Sequence, residues 1–224
     1  MIAQSIYTKI NKLIAQSIEA LKRRENQAMT KKDAILKAAQ EAFGQLGFTA
    51  ATVKDVAGRA DVSFGLVSHY FGSKQDLFLA AGFDMADRLI ARLNEATAEG
   101  ESGLESIQRY MAAYFAFTEE HRNRFPILLR CSPFSHMEPG VDAAKVAEKF
   151  SVFIEELKRY VSQGIKDGSI RDLPTDETAL IIYGNIVGSV RTSLLTPYKS
   201  EGILSETINH VTRSLKNSSS QGGC

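Results

Sequence analysis

Apolar residues recur three or four positions apart along most of the chain, the spacing that places side chains on one face of an α-helix. No stretch alternates apolar and polar residues between hairpin signals, so a sheet is not expected. The pattern therefore predicts an all-α protein. Its predicted helices lie near residues 1–21, 30–46, 52–60, 63–71, 73–98, 104–120, 123–130, 141–166, 176–196 and 201–216.

Hydroxyl side chains stand where four of these helices are expected to begin. Thr30, Thr52, Ser63 and Ser73 each precede an apolar stripe, and a Ser or Thr at that position caps the free N–H groups of the first turn. Gly47 is predicted to end the helix that starts at Thr30, because glycine adopts the left-handed backbone of a helix cap at little cost.

These elements divide the chain into segments of different character. Residues 1–29 are predicted to form an amphipathic helical extension, residues 30–80 a small front domain, residues 81–216 a larger apolar body and residues 217–224 a disordered polar tail. A joint between domains is expected at residues 100–103. The apolar stripe of the extension is compatible with packing on the body, pairing with another chain or contact with a membrane surface.

Composition places the chain among globular proteins. Its 224 residues, 44% of them hydrophobic and 24% charged, are enough to build a sizeable core. The longest apolar run, residues 110–117, is much shorter than a membrane span. No signal-peptide pattern opens the sequence, and two cysteines are too few for a disulfide framework. We therefore expect a cytoplasmic protein without membrane contact.

Positive charge is concentrated at the front of the chain. Residues 1–80 carry 11 lysines and arginines against 7 acidic residues, whereas the whole chain has a formal net charge of +1. A basic front domain suits a polyanionic partner such as nucleic acid. An ordinary solvated basic surface explains the same charge, so composition leaves both interpretations open.

Residues 52–71 have the form of a helix-turn-helix. A short helix capped by Thr52 is followed by a sharp turn and by a second short helix capped by Ser63. The small Ala57 lets the two helices approach, and the outer side of the second helix stays free to enter a DNA major groove. A simple helical hairpin within a bundle would show the same spacing.

A set of residues between positions 47 and 78 carries a family resemblance. They are Gly47, Phe48, Thr52, Val53, Lys54, Asp55, Val56, Ala57, Ala60, Asp61, Val62, Ser63, Gly65, His69, Tyr70, Phe71, Ser73, Lys74, Asp76, Leu77 and Phe78. Residues 30–80 closely resemble the TetR/AcrR family of transcriptional regulators. The resemblance implies a dimeric, ligand-responsive repressor with an N-terminal helix-turn-helix DNA-binding domain and a C-terminal helical domain for ligand binding and dimerisation.

Two positions depart from the family pattern. Asp61 replaces the usual glycine of the turn, and Asp is one of the residues that tolerates a left-handed backbone. Ser68 replaces a usual tyrosine, which shortens one contact to a DNA phosphate. Neither change removes the fold.

The predicted DNA-binding residues follow from chemistry and from the resemblance. Hydroxyls at the helix N-termini suit phosphate contacts, and the resemblance assigns further contacts to the DNA backbone at Lys54, Ser68, Tyr70 and Lys74. Tyr70 is alternatively a core aromatic, and His69 an exposed residue without a role. The full predicted set is Thr52, Lys54, Ser63, Phe64, Gly65, Leu66, Ser68, His69, Tyr70 and Lys74.

The second helix of this motif lacks the usual readers of base edges. Residues 63–70 contain no Arg, Lys, Asn or Gln, the side chains that bind guanine or adenine in pairs of hydrogen bonds. We therefore hypothesise that Phe64 and Leu66 contact thymine methyl groups. His69 and the shape of the DNA would supply the remaining discrimination.

The body carries the other two predicted sites. Its aromatic concentration suits a small hydrophobic effector, although the same residues are equally typical of a packed core: Tyr110, Met111, Tyr114, Phe115, Phe117, Phe125, Leu128 and Phe153. The resemblance places a four-helix homodimer interface in the late helices, with an intrachain core as the alternative: Phe150, Leu157, Tyr183, Gly184, Val187, Gly188 and Arg191.

Metal-binding, anion-binding and catalytic sites have less support in the sequence than the DNA-binding site. His121, Cys131 and His136 lie at irregular spacing, so neither a metal nor another cofactor is predicted. The arginines at 122, 124 and 130 are compatible with an anionic ligand or with a solvated surface. The chain contains no Gly-rich phosphate loop and no nucleophile elbow, so an enzyme is not expected.

The sequence thus predicts a repressor that binds double-stranded DNA at a pseudo-palindromic operator and is released by a small apolar effector. Two alternatives stay open. One is an enzyme with an incidental helical hairpin, and the other is a ligand-binding or scaffold protein that uses the amphipathic N-terminus.

Overall fold

The architecture was obtained as a computed structural model that describes residues 30–133, 140–198 and 200–217. Within these ranges the chain forms helices and no strand, as the sequence predicts. In chain order they are α1 Lys31–Ala50, α2 Val53–Arg59, α3 Phe64–Phe71, α4 Lys74–Thr97, α5 Gly103–Glu120, α6 Pro126–Arg130, α7 Ala143–Asp167, α8 Thr175–Leu195 and α9 Ile203–Leu215.

The four predicted helix starts are confirmed at residue level. Thr30, Thr52, Ser63 and Ser73 are the N-cap residues of α1, α2, α3 and α4, and each side chain accepts a hydrogen bond from a backbone N–H three residues later. Capping residues act through such local bonds, which is why the sequence alone locates them.

Two residues of the front domain, Gly47 and Asp61, have a positive φ, and the sequence predicted the backbone of Asp61 better than that of Gly47. Asp61 has a φ of 52° in the turn between α2 and α3, as expected from its place in the family pattern. Gly47 has the expected positive φ of 79°, but its ψ of 171° is not that of a left-handed cap. The chain therefore bends at Gly47 and makes one further turn to Ala50.

α1 and α3 pack on α4, and α2 packs on α1 and α3; these three helices and the first half of α4 form the head. Ile35, Ala39 and Phe43 of α1 are buried in the head core. The ring of Phe78 on α4 lies edge-on against Phe43 and Phe48, at centroid distances of 5.3 and 5.2 Å. α4 continues without interruption from this aromatic core into the body, so the predicted boundary at residue 80 falls inside one helix.

The body consists of the second half of α4 and helices α5 to α9. α5 packs between α4 and α7, and α8 packs on α7 and α9. Residues 100–103, predicted as a joint between domains, instead connect two helices of this body. A Cβ built on Gly103 would lie 2.1 Å from the backbone nitrogen of Gly164 and 2.3 Å from the carbonyl oxygen of Tyr160, so this connection is a tight packing point.

Three features bear on the remaining predictions. The amphipathic extension of residues 1–29 lies outside the described residues, as does the tail from residue 218. Within the described ranges, α8 is the one helix whose length and hydropathy would permit a membrane span, and such values are also typical of a core helix. Its inner face, with Ala179, Ile182, Ile186 and Val190, is buried against the body, which accounts for much of its apolar character.

Candidate DNA interface and effector domain

The corner between α2 and α3 is held by small apolar side chains. Val56 and Ala57 of α2 and Val67 of α3 are buried, Val67 with 1% of its surface exposed. The Val62 N–H donates to the Ala57 carbonyl oxygen at 3.1 Å and closes the turn. Because Val67 points inward, the opposite side of α3 faces away from the protein.

The residues predicted to face a DNA groove lie on that outer side. Gly65 and His69 are exposed, and Phe64 has 51% of its surface exposed despite its large apolar ring. Leu66 is half-buried beside them. The Phe64 ring is thus accessible on the side of α3 where the contact with bases is predicted, and that contact stays a prediction.

Tyr70 is an exposed residue, and its alternative interpretation as a core aromatic is wrong. It has 44% of its surface exposed. Its ring lies 5.7 Å from the His69 imidazole in an edge-on arrangement and 6.2 Å from Phe71. The phenol is thus held at the end of α3 by ring contacts while its surface remains open.

Thr52 and Ser63 use their hydroxyls within the protein. Thr52 Oγ1 donates to Asp55 Oδ2 at 2.7 Å and accepts from the Asp55 N–H at 3.1 Å. The Thr52 hydroxyl and backbone N–H hold the pKa of the Asp55 carboxyl below its usual range. Ser63 Oγ accepts from the Leu66 N–H at 3.2 Å. Both hydroxyls therefore position helix ends, and any phosphate contact would be shared with this capping role.

The other predicted phosphate contacts differ in their surroundings. Lys54 is exposed and Ser68 is half-buried. Lys74 is half-buried, with Nζ 3.3 Å from the Thr49 carbonyl oxygen and 4.6 Å from the centre of the Phe48 ring. These two contacts hold the ammonium group of Lys74, in the first turn of α4, against the end of α1.

The predicted effector residues come together in the centre of the body. Tyr110, Met111, Tyr114, Phe115, Phe117, Phe125, Leu128 and Phe153 are all buried, each with 5% or less of its surface exposed. Tyr114 lies 5.8 Å from Phe125 and 6.4 Å from Phe153, ring centre to ring centre. The prediction that they bind an effector stays a prediction.

Tyrosine hydroxyls add polarity to this aromatic cluster. Tyr110 donates to the Phe153 carbonyl oxygen at 3.2 Å, and Tyr114 and Tyr183 hydrogen-bond to each other. Burial raises the pKa of Tyr110 and Tyr114 well above the usual value, and that of Tyr183 as well. These phenols therefore stay neutral at physiological pH and act as hydrogen-bond donors and acceptors.

The predicted dimer interface needs correction at three positions. Phe150, Leu157 and Tyr183 are covered by their own chain, with 1% or less of each surface exposed, so they have no surface left for a partner. These three residues belong to the body core, which is the alternative that the sequence left open. Gly184, Gly188 and Arg191 are exposed and Val187 is half-buried, as an interface requires.

An exposed apolar face of α8 surrounds the remaining positions. Ile181 and Leu180 have 63% and 48% of their surfaces exposed, and a Cβ built on Gly184 or Gly188 meets no other atom within 4 Å. Ile181, Gly184, Gly188 and Ile203 of α9 line a shallow groove of about 420 Å³ on this face. The sequence did not identify Ile181 as an exposed residue. α8 is apolar on both sides, so the spacing of its apolar residues does not distinguish the exposed side from the buried one.

Arg124 and Arg130, for which the sequence allowed a solvated surface or an anionic ligand, instead donate hydrogen bonds to α1 of the head. Arg130 Nε donates to the Gly44 carbonyl oxygen at 3.2 Å, and Arg124 Nη1 donates to Gln40 Oε1 at 3.4 Å. Gln40 is buried and its amide also donates to Asp84 Oδ2 on α4 at 2.7 Å. The segment around α6 is thus hydrogen-bonded to α1. No local sequence signal pairs residues that lie more than 80 positions apart.

His121 and Cys131 are surrounded by other side chains of the protein. The His121 imidazole stacks edge-on against Phe117 at 4.3 Å and its Nδ1 lies 3.2 Å from Arg124 Nη2. Burial and the neighbouring Arg124 lower the pKa of His121. Cys131 is buried, and burial raises the pKa of its thiol to about 12. His136 lies outside the described residues, among which no His, Cys, Asp and Glu cluster suits a metal.

Comparisons with known proteins agree with this arrangement. The family described as "Bacterial regulatory proteins, tetR family" matches residues 35–81, which span α1 to the start of α4. The HTH-type transcriptional repressor KstR2 of Mycobacterium tuberculosis is 30% identical over 175 residues, which cover 74% of this chain and 82% of KstR2.

Two further comparisons differ in their coverage. The HTH-type transcriptional repressor NicS of Pseudomonas putida is 27% identical over 54% of this chain, and the alignment spans only 56% of NicS. The crystal structure of the transcriptional regulator FadR from Bacillus subtilis, in complex with stearoyl-CoA, superposes with a TM-score of 0.70. That superposition covers 81% of this chain and 98% of FadR at 19% identity.

Proposed function

The chain belongs to the TetR family of bacterial regulatory proteins and is therefore a DNA-binding transcriptional regulator; we propose that it acts as a homodimeric repressor which a small apolar effector releases from its operator. The observation that carries this proposal is the open face of α3. Phe64, Gly65 and His69 are exposed there, while Val67 anchors the helix in the head.

Different residues are proposed to position the head on the DNA and to recognise the base sequence. Lys74 and Lys54 would hold backbone phosphates, which fixes the head on the duplex without reading bases. Phe64 and Leu66 would contact thymine methyl groups in the major groove, with His69 and DNA shape adding to the discrimination. This division follows from the absence of Arg, Lys, Asn and Gln between residues 63 and 70.

Two copies are proposed to pair through the exposed face of α8, with α9 beside it. Ile181 and Leu180 would become buried, and Gly184 and Gly188 would allow close helix contact. Two heads in such a dimer would reach successive major grooves about 34–36 Å apart, so the operator would be pseudo-palindromic.

The effector is proposed to enter the aromatic cluster of the body. FadR, which shares the fold, holds stearoyl-CoA in its crystal structure, and the cluster in this chain is apolar and lies between α5, α6, α7 and α8. An effector that binds better to a head spacing unsuited to the operator would shift the population away from the DNA-bound form. The arginine contacts between α6 and α1 offer a direct route from the body to the head.

The test begins with duplexes selected from a random-sequence pool by the purified protein. We expect one pseudo-palindromic sequence to emerge, to shift as a complex with two chains, and to be released by at least one member of a panel of apolar molecules that includes fatty acyl-CoAs. Recovery of no preferred duplex would contradict the repressor proposal.

Thymine reading is tested on the selected operator. Each thymine is replaced in turn by uracil, which removes only the 5-methyl group. The expected result is a weaker complex at the positions that Phe64 and Leu66 contact. Unchanged affinity at every position would exclude the methyl-reading hypothesis while leaving DNA binding itself intact.

A further inference from the structure

Gln40 of α1 is a buried amide that connects the head to the body. It has 1% of its surface exposed. Its Nε2 donates to the Ala81 carbonyl oxygen at 3.3 Å and to Asp84 Oδ2 at 2.7 Å, both on α4. Its Oε1 accepts from Arg124 Nη1, just before α6, at 3.4 Å. A buried amide is costly unless its polar groups are hydrogen-bonded, so Gln40 favours the position of α1 in which all of these bonds are made.

Arg130 makes a second contact between the body and α1. Its Nε donates to the Gly44 carbonyl oxygen at 3.2 Å. Gly44 follows Gln40 by four residues, and residues four apart are neighbours on one face of a helix. Hydrogen bonds depend on both distance and angle. Two of them along one face of α1 therefore oppose its rotation and its sliding against α6.

These contacts supplement the covalent connection between head and body. α4 runs without interruption from Lys74 to Thr97 and so belongs to both. Helices that pack on each other lie about 8–10 Å apart, axis to axis, so the contacts on α1 lie to one side of the α4 axis. A tilt of the head about α4 would lengthen or misalign the hydrogen bonds at Gln40 and Gly44. The two arginines thus oppose a movement that α4 alone would permit.

We propose that the hydrogen bonds of Arg124 and Arg130 to α1 hold each head at a fixed angle and thereby determine which spacing between operator half-sites the dimer binds. The arginines are then positioning residues for operator specificity that need not touch DNA. The inference rests on the proposed function, because it requires a dimer on a pseudo-palindromic operator. One added base pair moves the second half-site by about 3.4 Å and rotates it by about 35°. Heads held at a fixed angle discriminate against that change, whereas loosely held heads adapt to it.

The test measures affinity against half-site spacing. The duplexes are the selected operator, the same operator with one base pair inserted or removed between its half-sites, and a single half-site. Arg124→Met combined with Arg130→Met removes both guanidinium groups and keeps long side chains. For the parent protein, we expect a change of one base pair to weaken binding by about tenfold or more, against no more than about threefold for the double variant. Both proteins should bind the single half-site with similar affinity.

Arg122→Met is the matched control. Arg122 lies in the same segment, but its Nε donates to Glu119 Oε2 at 3.1 Å and its Nη2 to Ser193 Oγ at 3.2 Å, both in the body. This variant should keep the dependence on spacing of the parent. An equally weak dependence in Arg122→Met would overturn the assignment to the contacts with α1.

Gln40→Met approaches the same contact from the head. It leaves both arginines in place and removes the amide that Arg124 binds. We expect a dependence on spacing between those of the parent and the double variant, because Arg130 keeps its bond to Gly44. This variant provides the test if the double variant no longer binds the single half-site, and a dependence equal to that of the parent would then contradict the inference.

Two further results would contradict the inference and leave the proposed function standing. One is a parent protein that binds all spacings alike, since nothing would then hold the heads at a fixed angle. The other is a double variant that binds the single half-site and discriminates between spacings as strongly as the parent. Failure of the parent to select any duplex with two half-sites would instead contradict the proposed function.

Discussion

Lys74 shows how a single side chain serves both the fold and the proposed interface. Its ammonium group contacts the Thr49 carbonyl oxygen and lies over the Phe48 ring. These contacts restrict a long side chain that would otherwise lose its rotamer freedom on binding DNA. The lysine is thereby positioned in advance, at the cost of a half-buried charge.

Lys74→Ala is expected to weaken binding to all duplexes by a similar factor and to reduce the slope of log affinity against log salt by about one, because one fewer counterion is released. The measurement is a titration of specific and random duplexes at several salt concentrations. Lys166→Ala removes a lysine at the far end of the body, in the last turn of α7, and should leave the slope unchanged. An equal slope for Lys74→Ala and the parent would contradict the phosphate contact.

His121 makes the stability of the head–body contact sensitive to acid. Burial and Arg124 lower its pKa in the folded chain, with Glu120 and Arg88 as the other nearby charges. The unfolded chain then binds a proton more readily than the folded chain, so the folded state loses stability as the pH falls below the ordinary value of 6.5.

The expected result is a free energy of unfolding that falls from about pH 6.5 towards pH 5, with a smaller fall in His121→Gln, whose side chain stays neutral. Chemical denaturation across this pH range measures it. His210→Gln, which removes an exposed imidazole from α9, is the control. An identical pH dependence in His121→Gln and the parent would show that His121 does not cause the loss.

At the scale of elements, helix packing depends on a few close approaches. α5 and α7 meet at Gly103 and Gly164, where a Cβ on Gly103 would collide with backbone atoms. Backbone atoms cannot move aside as a flexible side chain can. The first turn of α5 is further fixed by Asp167, whose Oδ2 accepts from the Gly103 N–H at 2.8 Å.

Gly103→Ala should therefore lower the free energy of unfolding by about 1–3 kcal/mol or more, since the two helices must separate to admit a methyl group. Thermal or urea unfolding monitored by circular dichroism provides the measurement. Gly58→Ala, with open space around its Cβ, is expected to be neutral or slightly stabilising. A Gly103→Ala variant as stable as the parent would contradict the close approach.

The elements themselves were largely predictable because their signals are local. Caps such as Thr52 and Ser63 act within three residues, and the outward side of α3 follows from the position of Val67. The positions of Phe150, Leu157 and Tyr183 were not predictable, because an apolar stripe does not say whether it faces its own chain or a partner. The hydrogen bonds of Arg124 and Arg130 to α1 were missed because they depend on how distant helices pack.

At the scale of the whole molecule, the exposed face of α8 is an apolar surface that its own chain does not cover. Ile181 alone has 63% of its surface exposed. Ile181→Glu should convert the proposed dimer to monomers, because a buried unpaired carboxylate at the contact is strongly unfavourable. Sedimentation analysis gives the oligomeric state, and affinity for a two-half-site operator should fall by at least tenfold.

Val152→Glu is the control for this experiment. Val152 is also an exposed apolar residue, with 39% of its surface exposed, but it lies on α7. This variant should remain dimeric. Dimers of Ile181→Glu as stable as those of the parent would remove α8 from the proposed interface.

The uninterrupted course of α4 through head and body has a mechanical consequence. With 24 residues, it is a rod about 36 Å long whose first turn carries Lys74. A tilt of about 10° at its body end would displace that lysine by about 6 Å, more than one turn of helix. A tilt too small to unfold the body is thus enough to change the distance between the two heads of the proposed dimer, so that they no longer match successive major grooves.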